Sequence, residues 1–170
     1  WGLKQPNKAL SLFKSAIELN PTNMIAQRLY AMCLIFTDRP QDALNHFDEI
    51  GTISPKDPEN LRMDVRRAEA YLCLSDFEEA RRYGELSVSH PINNWPSFTV
   101  LISTLGHLGQ LSEAEVAMAK MKNQIITERE MISAPEDIMR LEFVKNTLPF
   151  IDSEFSRIYL TGLQKASFPD

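Results

Sequence analysis

Four residues near the start of the chain return at a fixed interval. Pro6, Ala9, Phe13 and Pro21 reappear as Pro40, Ala43, Phe47 and Pro55, each pair 34 positions apart. A second series with the same spacing joins Ser75 to Gly109, Phe77 to Leu111 and Ala80 to Ala114. The two series are out of step by three residues, a difference that a loop over residues 54–60, with Pro55 and Pro58, can absorb. Such a period constrains the fold strongly. Each unit is one supersecondary element that cannot bury its apolar face alone, so successive units must stack.

Within the period, a small residue (Ala9, Ala43, Ala80, Ala114) sits where two helices must approach closely. A large apolar residue follows one helical turn later at Phe13, Phe47 and Met118, with Gly84 beside Tyr83 as the departure in the third unit. Pro21, Pro55 and Pro91 end the units. Ala31 and Ala68 give the first helix of a unit its small residue, and Ile102 departs from that pattern. The features resemble the tetratricopeptide repeat, a helix-turn-helix unit of this length. The resemblance implies an all-α solenoid of about three and a half repeats: a partial one over 1–22, repeats over about 23–57, 61–92 and 95–126, and C-terminal capping helices over 127–170.

Helices are predicted near 6–19, 23–36, 40–50, 58–74, 77–89, 95–108 and 111–125. Asp38 with Gln41, and Ser75 with Glu78, read as helix N-caps. The chain opens inside a repeat, so Leu12, Phe13, Ala16 and Ile17 need cover from upstream sequence, a neighbouring chain or the second repeat. Without an initiator methionine, the sequence reads as a fragment. Beyond residue 133, a helix from Ala134 to about Asn146 and another from about Asp152 to Lys165 are expected to close the end of the last repeat, as terminal repeats require.

Charged residues make up 24% and apolar ones 44%, and the formal net charge is -5. That balance disfavours nucleic acid and anionic membrane as partners. No apolar run approaches the ~18 residues of a membrane span, and no signal peptide opens the chain. Cys33 and Cys73 read as buried thiols in a reducing compartment, which points to the cytoplasm.

The last residues carry a narrower likeness. Leu148-Pro149-Phe150-Ile151-Asp152, followed by Gly162-Leu163-Gln164-Lys165-Ala166-Ser167-Phe168-Pro169-Asp170, resembles the ending of bacterial tetratricopeptide regions attached to class III adenylate or guanylate cyclases or to related winged-helix regulators. Gln164, Ser167, Phe168 and Asp170 depart from that pattern. The resemblance covers about the final 75 residues and implies a signalling domain upstream.

No phosphate loop, nucleophile elbow or metal motif occurs, so no catalytic residue, metal ligand or cofactor is expected. His46, His90 and His107 fall on separate elements and read as surface or interface residues. The expectation is binding: a peptide or helix lying in a concave groove lined by the first helices of the repeats. Its predicted liners are Ile25, Arg28, Met32 and Ile35, then Arg62, Val65, Arg66, Glu69 and Leu72, then Thr99, Ser103, Gly106 and His107. Arg62 and Arg66 match two basic places of a carboxylate clamp known in the repeat family, although Leu29 stands where its asparagine would be. The other reading pairs the arginines with Glu69 or with the C-terminal helices. The partner would be a protein or peptide, with the chain's own upstream domain as one candidate, and self-association through the open first repeat is the alternative.

Overall fold

The computed structural model describes residues 5–53, 62–90, 94–127, 137–148 and 153–170. The described residues contain helices and no strand. The helices are α1 (Pro6–Leu19), α2 (Met24–Phe36), α3 (Pro40–Ile53), α4 (Met63–Cys73), α5 (Phe77–Ser89), α6 (Trp95–Leu108), α7 (Leu111–Thr127), α8 (Leu141–Thr147) and α9 (Glu154–Lys165), with a 3-10 turn at Asp137–Met139 before α8. The predicted register loop at 54–60, the terminating Pro91, the opening of the helix at residue 134 and the segment Pro149 to Asp152 lie outside the described residues.

The period is visible in the turns. Asp38, Ser75 and Gly109 each adopt the left-handed conformation, with φ of 57°, 59° and 71°. At each turn the amide of the next residue reaches back across the helix end: Arg39 N to Leu34 O at 2.9 Å, Asp76 N to Tyr71 O at 3.0 Å, and Gln110 N to Leu105 O at 2.9 Å. These are Schellman closures of α2, α4 and α6. Asp38 and Ser75 therefore close one helix and do not cap the next, contrary to the expectation from sequence. The cap of α5 is Asp76, whose carboxylate accepts from Glu79 N at 3.3 Å.

Each helix packs on the next along the chain from α1 to α7. Among alternate helices, α2 packs on α4 and α4 on α6, so the first helices of the repeats form the tight inner row of the solenoid. Ala43, Ala80 and Ala114, together with Ala31 and Ala68, are fully buried at the close approaches. A methyl group has no room at Gly84 without pressing on Leu101. The aromatic role passes to Tyr83, which stacks on Tyr71 at 5.5 Å.

Two differences from expectation concern the C-terminal region. The single helix predicted to run to about Asn146 is a 3-10 turn and the short α8, separated by Arg140 in extended conformation. The first amide of α8, Leu141 N, donates to Pro169 O at 2.6 Å, which ties the end of the chain to this helix. Moreover, α9 covers the last repeat from the inner side: it packs chiefly on α6, and also on α4.

Candidate groove and its occupant

Helix α6 places the decisive side chains. Its sequence from Trp95 to Leu108 contains no Asp, Glu, Lys or Arg. Every residue from Ser97 to Gly106 is buried, so the helix is covered on all sides. α5 and α7 cover part of it, α4 another part, and α9 the remaining face.

Contact between α6 and α9 is close and polar. A Cβ at Gly106 would overlap Gly162 O, and one at Gly162 would overlap Ser103 O. The helices therefore cross at glycine on glycine. Ser103 Oγ donates to Tyr159 O at 2.8 Å. His107 Nε2 lies 2.8 Å from Ile158 O and must donate to it, because a carbonyl only accepts. The other face of the imidazole system is also engaged: the ring stacks on Phe77 at 4.5 Å, and Nδ1 lies 3.4 Å from Lys165 Nζ. The Thr99 hydroxyl donates to Trp95 O at 3.1 Å, which leaves the Tyr159 hydroxyl to donate to Thr99 Oγ1 at 2.6 Å. Phe155, Tyr159, Leu163, Ala166 and Phe168 are all buried. At the far end of the seat, Phe155 meets Phe36 of α2 at 5.3 Å.

Next to this seat is a buried ion pair. Arg66 Nη1 donates to both carboxylate oxygens of Glu69 at 2.7 Å. Burial pushes the Glu69 carboxyl up, and the Arg66 charge pulls against it. Burial also raises the Tyr159 phenol well above its usual range. A cavity of about 220 Å³ remains between the pair and α9, walled by Phe36, Trp95, Phe155 and Tyr159. A second hollow, about 560 Å³, is lined by α5, α6 and α7 and by none of these residues.

The predicted groove residues divide into three sets. Ser103 and His107 hold α9, and Thr99 and Gly106 belong with them. Met32, Ile35, Val65 and Leu72 have their side chains inside the core. Arg66 pairs with Glu69, as the second reading of the arginines expects, while Arg28 is half-buried on α2 and Arg62 is exposed before α4. Ile25 is 58% exposed. Sequence reasoning did not single out Tyr159 or Gly162 as groove contacts. The signal for them is the uncharged α6, which cannot face water and so needs a further helix to cover it.

Cys33 and Cys73 are free, with both thiols raised by burial. Among the described residues, no three His, Cys, Asp or Glu side chains gather where they could hold a metal, and no helix is long and apolar enough to cross a membrane.

The tetratricopeptide repeat family model matches residues 1–63. No curated protein matches the chain. Among solved structures, the nearly identical TPR-like repeats of a Podosopora anserina chain assigned as a kinesin light chain share the fold, with a TM-score of 0.59 and 18% identity over 96% of this chain and 82% of that one. Tetratricopeptide repeats generally mediate contacts between proteins, using the extended concave surface that stacking creates. The chain is an all-α solenoid of the tetratricopeptide type, and the inner face of α4 and α6 is covered by α9.

Proposed function

We propose that the chain is a non-catalytic protein–protein interaction module that takes a peptide or helix on its concave face. The observation that carries this reading is α9 itself, a helix lying on the inner row and held through main-chain carbonyls by Ser103 and His107. A surface that grips one helix by its backbone suits another helix of compatible shape. We divide the chain into a partial repeat over 1–22, repeats over about 23–57, 61–92 and 95–126, and a C-terminal segment over 127–170. The C-terminal resemblance supports a role in regulating or scaffolding an upstream cyclase-like signalling domain in the cytoplasm. No cofactor, nucleic acid or membrane is part of this reading. The groove liners kept in it are Arg28 and Arg62 toward the open end, and Ser103 and His107 in the seat of α9.

A photo-crosslinking amino acid in place of Arg62, in the parent protein in its own cells, tests the proposal. The expected product joins the groove to a peptide of a partner or of the upstream domain. Crosslinks to water-quenched products alone, with no polypeptide attached, would reject it.

Self-association is the second reading, favoured by the open face of α1, where Leu12 is 56% exposed. Sedimentation of the parent chain and of Leu12→Glu decides it. A dimer that Leu12→Glu dissociates supports it, and a monomer in both rules it out.

A further inference from the structure

We infer that α9 is an intramolecular occupant of a helix-recognition seat, and that the partner of this seat is an α-helix with the same face, which must displace α9 to bind. The face is an aromatic residue, tyrosine four positions on, glycine three after that, leucine next and alanine three further, as in Phe155, Tyr159, Gly162, Leu163 and Ala166. The inference rests on reading the concave face as a binding surface.

Three features of the contact define this partner. Ser103 and His107 donate to the carbonyls of Tyr159 and Ile158, each of which has a second lone pair free inside its helix. These bonds recognise a helical backbone whatever side chains it carries. The crossing at Gly106 admits only a helix with glycine at the contact point, since a Cβ on either side meets main-chain atoms that cannot move aside. The Thr99 hydroxyl then fixes the tyrosine one turn before that glycine, in register with the backbone contacts. A helix attached to the same chain has a high effective concentration, on the order of millimolar for a short connection. An outside helix of equal intrinsic affinity is therefore held off until α9 is weakened or outnumbered.

The probe is a synthetic peptide of residues 153–170, titrated into the full chain. The parent chain is expected to bind it weakly. In Gly162→Ala the chain's own helix no longer fits while α6 is unchanged, so the peptide is expected to bind at least roughly tenfold tighter. Tyr159→Phe removes one hydrogen bond from the occupant and preserves its shape; about fivefold tighter binding is expected. Gly106→Ala, which blocks the seat, and a peptide carrying Gly162→Ala are both expected to abolish binding. If Gly162→Ala fails to fold, Tyr159→Phe decides alone. Equal binding by Tyr159→Phe and parent, or undiminished binding by Gly106→Ala, overturns the inference. A partner crosslinked at position 62 that leaves the peptide affinity unchanged also overturns it, while leaving the interaction-module reading intact. If no partner crosslinks, that reading falls, and the peptide titration still decides whether the seat recognises a helix.

Discussion

Arg66 shows how a residue that looks like a ligand-binding group from sequence can be taken up internally. Spacing alone allowed Arg66 to reach a ligand carboxylate or to reach Glu69 one turn along, and the structure has its Nη1 on both oxygens of Glu69 in a buried pair. Arg66→Met is expected to destabilise the chain by about 3 kcal/mol at pH 7, because the carboxylate is then buried without its cation. The Glu69 carboxyl is already raised by burial, so its protonated form suits the fold. The loss should therefore shrink as pH falls from 7 toward the ordinary carboxylate value of 4.5, because the folded state takes up the Glu69 proton above that value, and urea melts at pH 7 and pH 4 will measure it. His46 behaves in the opposite sense. Its ring lies edge-on to Tyr30 at 5.0 Å, and burial lowers its pKa below 6.5 despite the opposing pulls of Glu49 and of a backbone hydrogen bond at Gln27. The neutral ring suits the fold, so its contribution is complete above pH 6.5 and declines as pH falls below that value. Thermal melts at pH 7.5 and 5.5 should show a smaller acid loss for His46→Phe than for the parent chain.

At the scale of helices and turns, the repeat was largely legible. The predicted bounds of α1, α5 and α6 match the helices to the residue. The caps were misread because Asp38 and Ser75 are residue types that suit an N-cap and also tolerate the left-handed conformation. Only the tertiary angle between the helices decides which role they take. At the equivalent turn, Gly109 has open space around it, yet its φ of 71° is unfavourable for any side chain. Gly109→Ala is expected to cost about 1 kcal/mol through backbone strain alone, with no lost contact. Denaturant midpoints should show this as a shift without a change in slope. The break before α8 was not legible, since it follows from the bond between Leu141 N and Pro169 O, two residues far apart in sequence.

For the whole molecule, local periodicity predicted a solenoid but could not say which surface its last helix would cover. The apolar face of α9 was plain in Phe155, Ile158, Tyr159 and Leu163. Its destination depended on α6, whose lack of charge becomes meaningful only once the inner row is known to need cover. The last residues of the chain have a structural role: Gly162 permits the crossing, Leu163, Ala166 and Phe168 are buried, and Pro169 anchors α8. The central claim is that α9 occupies the concave face at a glycine-on-glycine crossing. Nuclear Overhauser measurements on the labelled chain test it directly, because Gly106 lies against the backbone of Gly162 and the amide of Ala166. We predict strong cross-peaks from the Gly106 α-protons to the Ala166 amide, with helical shifts throughout Glu154–Lys165. Absence of those cross-peaks, with random-coil shifts over the same residues, would contradict the account.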